Sequence, residues 1–127
     1  MRGLLKLAAG AILVGGLLAV PPSVLAKDRQ DVRIVGACSR ASTSELKLSS
    51  EDARIEVEFE VDQNRAGVRW TVVVRRNGRV VQRAVKVTRR PSGSFTARLV
   101  TGNSAGAERF TATATRVGES CRAAGVF

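Results

Sequence analysis

Apolar and polar residues alternate most strictly between Arg54 and Thr88, and that stretch organises the chain. Ile55, Val57, Phe59 and Val61 alternate with Glu56, Glu58 and Glu60, the period-two pattern of a strand with one buried and one wet face. After the polar turn Asp62–Gly67 come two β-rich runs, Val68–Arg76 and Arg79–Thr88, separated by Asn77-Gly78. An Asn-Gly pair accepts the positive φ of a type I′ turn, so the two runs form a hairpin. A two-residue loop pairs Arg76 with Arg79, Val74 with Val81, Val72 with Arg83 and Trp70 with Val85. This register puts Trp70, Val72, Val74, Val81, Val85 and Val87 on the core face and Arg69, Arg75, Gln82 and Lys86 on the other. Arg83 then falls on the core face as well. Either it sits at the sheet edge with its head in water, or a bulge shifts the register.

Shorter strands flank this centre. The pattern predicts Val32–Cys38 with a bulge at Gly36, Glu45–Leu48, and Ser94–Val100 with Phe95, Ala97 and Leu99 inward. It also predicts Arg109–Thr115 with Phe110, Ala112 and Ala114 inward, and a last strand at Arg122–Phe127. Turn chemistry at Ser39–Ser44, Ser49–Asp52, Thr88–Gly93, Thr101–Ala107 and Val117–Cys121 separates them. Seven or eight short strands with regular turn signals predict an all-β sandwich.

Ahead of the strands the chain reads differently. Met1–Lys6 is short and cationic, Leu7–Val20 is apolar, and Pro21-Pro22-Ser23 precedes Val24 and Ala26 at the −3 and −1 positions of a signal-peptidase site. The apolar run of 14 residues falls short of the roughly 20 needed to span a bilayer. Residues 1–26 are therefore expected to be a cleaved signal peptide and residues 27–127 one secreted domain with no membrane span left. Val35-Gly36-Ala37-Cys38 imitates a lipidation box only by chance, because the charged segment Lys27–Arg33 separates it from the apolar run. Cys38 and Cys121 are the two cysteines of an exported chain, and they read as one disulfide.

Charge is segregated along the chain. The net charge is +10. Lys27–Asp62 holds six basic and nine acidic residues, whereas Gln63–Ala107 holds ten basic and no acidic one. The long strand at Arg54 and the hairpin normally belong to opposite sheets of a sandwich, which gives the molecule an electrical polarity.

The layout resembles immunoglobulin-like and fibronectin-type-III-like domains, with Trp70 in the place of their buried third-strand tryptophan. More closely, the mature chain resembles a group of small exported actinobacterial proteins. The likeness lies in the early Cys38, the Ile55–Asp62 strand, the Trp70 hairpin with Asn77-Gly78, the Pro91–Phe95 turn and the late Glu119-Ser120-Cys121. That group brings no activity with it. The likeness departs from antibody domains at the cysteines, which there join two internal strands across the core. Here Cys38 ends the first strand and Cys121 precedes the last, so a bond between them would staple the ends of the sandwich.

Little in the sequence speaks for catalysis. There is no histidine and no tyrosine, and the cysteines are expected to be bonded, so nucleophile–base pairs are lacking. Glu56, Glu58 and Glu60 read as a solvated face rather than a two-carboxylate site. Neither Asp62 with Asn64 nor Glu51 with Asp52 matches a calcium-loop motif, and no phosphate-cradling glycine pattern or zinc spacing occurs. The expectation is a non-enzyme without cofactor or metal. Its basic hairpin and adjoining turn, Arg69, Arg75, Arg76, Arg79, Lys86, Arg89 and Arg90, are candidates for contact with anionic cell-envelope polymers. The absence of interleaved exposed aromatics argues against sequence-specific nucleic-acid recognition. The alternative is a secreted ligand or inhibitor that inserts Thr101–Ala107 or Arg89–Ser94 into a protein partner.

Overall fold

A computed structural model describes residues 15–16 and 30–127; the expected signal peptide, residues 1–26, lies outside the described residues apart from Gly15 and Gly16. Among the described residues nine strands follow one another: β1 (Val32–Val35), β2 (Ala37–Cys38), β3 (Thr43–Glu51), β4 (Arg54–Asp62), β5 (Arg69–Arg76), β6 (Arg79–Val87), β7 (Ser94–Gly102), β8 (Arg109–Arg116) and β9 (Glu119–Val126). They build two sheets, one ordered β1-β3-β4-β7 and the other β2-β9-β8-β5-β6. The strand pairings of both sheets are antiparallel, and no helix occurs among the described residues.

The inward residues of both sheets meet in one core. Leu46, Leu48, Ile55, Val57, Phe59 and Val61 come from the first sheet, and Trp70, Val72, Val74, Phe110, Ala112 and Ala114 from the second. Burying each large side chain of this kind contributes about 1.5–3 kcal/mol. Trp70 has no exposed surface. Its indole Nε1 donates to Gln63 Oε1 at 3.0 Å, which satisfies the one polar atom the ring takes inside.

Three elements differ from the sequence pattern. The expected Val32–Cys38 strand divides at Gly36: β1 pairs with β3 in the first sheet and β2 with β9 in the second, so nine strands form instead of seven or eight. The third strand does not stop at Leu48. It runs on to Glu51 and turns at Asp52-Ala53, whose φ angles of 46° and 61° are the left-handed pair of a type I′ turn. The last strand begins at Glu119, so Cys121 lies within it rather than before it. Cys38 and Cys121 are direct register partners, and a disulfide joins them with their Cα atoms 4.0 Å apart.

The hairpin contains the bulge that the sequence left open. Arg76 pairs with Arg79 and Arg75 with Val80, but Val74 pairs with Gln82 and Val73 with Arg83. Val81 is the extra residue, and every later side chain changes face, as a one-residue slip demands. Arg83 therefore points outward. Val81, Val85 and Val87, expected in the core, are exposed, while Gln82, Ala84 and Lys86 take the inner, half-buried positions.

Candidate functional site

The register places five arginines on the outer face of the second sheet. Phe110, Ala112, Ala114, Cys121 and Ala123 point inward, so Arg109 and Arg122 point outward by alternation, as do Arg69 and Arg75 opposite Trp70, Val72 and Val74. Arg83 joins them because its register partner is Val73. Thr111, Thr113 and Thr115 of β8 fill the ground between. Among the described residues no Asp or Glu side chain shares this face: Glu119 points inward, and Glu108 is buried. The side chains of Arg69, Arg75, Arg83, Arg109 and Arg122 form no ion pair with any described residue.

Spacing follows from sheet geometry. Arg83 neighbours Val73, Arg75 lies two residues further along β5, its partner on β8 is Thr111, and Arg109 lies two residues beyond that. Strands about 4.8 Å apart and a rise of about 6.8 Å per two residues put Arg83, Arg75 and Arg109 on a diagonal with steps of roughly 8 Å. Arg69 and Arg122 both lie to one side of that diagonal, roughly 12 Å from it.

The outer face of the first sheet is built the opposite way. Glu45, Glu51, Glu56 and Glu58 are matched there by cations on other strands of that sheet. Arg33 Nη1 lies 2.7 Å from Glu45 Oε1, and Arg98 Nη2 lies 2.6 Å from Glu56 Oε2. Lys47 Nζ reaches Asp31 and Glu58 at 3.5 and 3.9 Å. The hydrogen bond from Arg98, helped by those shared with Glu51 and Glu58, holds the Glu56 carboxyl down at about 2. The hydrogen bonds with Glu56 push Glu51 and Glu58 up. Glu56 thus departs from the expected solvated row: its side chain is only 11% exposed, covered by the cross-strand Arg98.

The hairpin candidates divide among several surroundings. Arg69 and Arg75 lie on the five-arginine face. Arg79 is exposed beside the Asn77-Gly78 turn, and Arg89 and Arg90 are exposed in the turn after β6. Lys86 lies on the inner side of β6, opposite Trp70. Arg76 is taken up inside the molecule: its guanidinium bonds Glu108, donates to Thr101 Oγ1 at 2.9 Å and stacks over Phe110 at 5.7 Å. The sequence reading missed Arg83, Arg109 and Arg122. Alternation with Phe110 and with Cys121 already marks Arg109 and Arg122 as outward, whereas Arg83 needed the bulge.

Other chemistry-bearing groups serve the fold. Glu119 is buried, accepts hydrogen bonds from Ser42 N at 3.0 Å and Ser42 Oγ at 2.8 Å, and pairs with Arg116 at 3.0 Å. Burial alone would raise its carboxyl, but the Ser42 and Arg116 bonds outweigh burial and hold it below the usual range. Arg116 in turn lies over the Trp70 ring at 5.5 Å. Asp62 Oδ1 accepts from Asn64 N at 2.8 Å in a local turn, and among the described residues no cluster of His, Cys, Asp or Glu is placed to hold a metal ion. The Thr101–Ala107 loop is tied by Ser104 Oγ to Glu108 at 2.9 Å and by Asn103 N to Ala53 O at 3.3 Å. No helix among the described residues is long and apolar enough to cross a membrane. No protein-family model matches the chain, and neither a curated protein nor a solved structure does.

Proposed function

We propose that this protein is a secreted, non-catalytic binding module of immunoglobulin-like or fibronectin-III-like build, and that the outer face of its second sheet contacts a linear anionic polymer of the cell envelope. The carrying observation is that face: five arginines on one sheet surface, with no Asp or Glu side chain among them and no ion pair to any described residue. Arginines that fold stability had recruited would sit as Arg76 and Arg98 do, against glutamates. The roughly 8 Å steps of the diagonal suit a chain with one anionic group per repeat, and threonine hydroxyls between the arginines can donate to the same oxygens. Secretion is supported by the Cys38–Cys121 disulfide and the signal-like leader. The immunoglobulin-like build is supported by two sheets around a buried tryptophan in β5, although its disulfide joins neighbours in one sheet instead of crossing the core.

Inorganic polyphosphate of about 20 units is a suitable probe. Its binding should weaken steeply between 50 and 300 mM salt, because each neutralised phosphate releases a counterion. Reversing Arg75 and Arg83 together (R75E/R83E) should lower affinity at least tenfold, while reversing the turn residues Arg89 and Arg90 should do much less. A salt-independent affinity, or equal losses from both pairs, would remove this reading.

A further inference from the structure

The second sheet ends at β6, which has β5 on one side and no described strand on the other. The alternation of its hydrogen bonds is fixed by Thr88 N donating to Val68 O at 2.9 Å. Even-numbered residues of β6 therefore bond to β5 beyond the bulge, and the N–H and C=O of Arg83, Val85 and Val87 face the open side. Across the gap, Arg98 O accepts from Gln82 Nε2 at 3.0 Å, so the backbone of β7 in step with Arg98, including Thr96, faces the same gap.

β6 and β7 are the limbs of a hairpin that parts into different sheets. The limbs touch at the Arg89–Ser94 bridge and again through Gln82, and between these points lies a cleft of about 520 Å³ lined by Val85, Lys86 and Val87 on one limb and Phe95 and Thr96 on the other, with Arg89 at its root. Its two charged lining residues are cations, and the chain from Gln63 to Ala107 carries no acid. Val85 and Val87 themselves are 55% and 42% exposed. The site thus combines free strand-pairing groups, apolar side chains at alternate positions, and uncompensated positive charge.

We infer that β6 accepts an extended acidic peptide from another protein as a tenth strand, its backbone pairing with Val85 and Val87 and its carboxylates meeting Lys86 and Arg89. Free edge groups supply affinity in strand addition, and alternate side chains supply selectivity. A second copy of this chain fits less well, because two β6 edges would bring Arg83 and Lys86 against like charges.

The test uses the oxidised protein and a capped seven-residue peptide alternating Val and Glu, followed by amide hydrogen exchange. Binding should slow exchange at Val85 and Val87 at least tenfold and leave the amides of Val72 and Ala84 unchanged. N-methylation along one edge of the peptide should abolish the effect, and replacing its Glu by Lys should weaken binding at least tenfold, as should K86E/R89E in a protein of unchanged thermal stability. Binding without protection of Val85 and Val87, equal binding of the Lys peptide, or no binding at millimolar peptide would overturn the proposal. Protection that appears without peptide and grows with protein concentration would overturn it too, in favour of a second copy. Polyphosphate should leave these amides unprotected, so this result and that of the arginine face can fail separately.

Discussion

The two long sides of the sandwich are finished in opposite ways. On one side a single run of chain belongs to both sheets: β1 pairs with β3, Gly36 N donates to Ser44 O at 2.9 Å, and β2 pairs with β9 beneath a disulfide. On the other side the edges β6 and β7 part after one bridge, and a single glutamine amide spans them. The closed side spends covalent and backbone bonds on holding the sheets together. The open side leaves backbone groups, valines and cations facing solvent. Bonds between the sheets are thus concentrated at one side and the groups proposed to pair with a peptide at the other, an arrangement in which changes should be costly on the first and tolerated on the second.

The largest effect expected is removal of the covalent link. The bonded cysteines are 83 residues apart, and in the chain-entropy model such a closure contributes roughly 4.5 kcal/mol. C38A/C121A should lose most of that in urea unfolding. A loss under about 1 kcal/mol would mean that strand pairing alone closes this side.

Next comes Gly36. A Cβ there would lie 2.1 Å from Ser44 Oγ, 2.9 Å from Arg122 O and 3.2 Å from Ala123 Cβ. Since a backbone carbonyl must move, G36A should cost about 2 kcal/mol. The isosteric V85T on the open side should stay within about 0.5 kcal/mol. Equal costs measured by thermal unfolding would erase the contrast between the sides.

The smallest effect concerns the open-side strand β7. Glu56 is held at about 2 by Arg98, so its share of stability is present above the ordinary carboxylate value of 4.5 and is lost as pH falls from there toward 2. In R98A the carboxylates of Glu51, Glu56 and Glu58 face one another without that cation. Glu56 then loses the hydrogen bond that lowers it most and should titrate nearer the ordinary value, so the loss of stability below 4.5 should shrink. A melting-temperature profile parallel to that of the parent would show that Arg98 does not set these carboxylates.

Much of this was legible beforehand. Strict alternation in Ile55–Val61 fixed β4 and its inward face, and Asn77-Gly78 fixed the β5–β6 turn, whose residues have φ of 50° and 83°. The pairing of Cys38 with Cys121 followed from their number and the expectation of export. Less legible was the tight Asp52-Ala53 turn, because alanine carries no signal for a left-handed conformation that costs it energy. The arginine face was half legible: Arg109 and Arg122 were available from alternation, whereas Arg76 looked free because its partner Glu108 lies 32 residues away and only the fold brings the two together.

By itself the sequence determined the all-β class, the strand faces before Val81 and the uneven distribution of charge, since each depends on local periodicity or on counting. Only the tertiary structure decided where the hairpin bulges, that one run of chain serves both sheets at Gly36, and which arginines have glutamates to neutralise them. These depend on contacts between residues far apart in sequence, and a one-residue slip within one strand reverses every face beyond it.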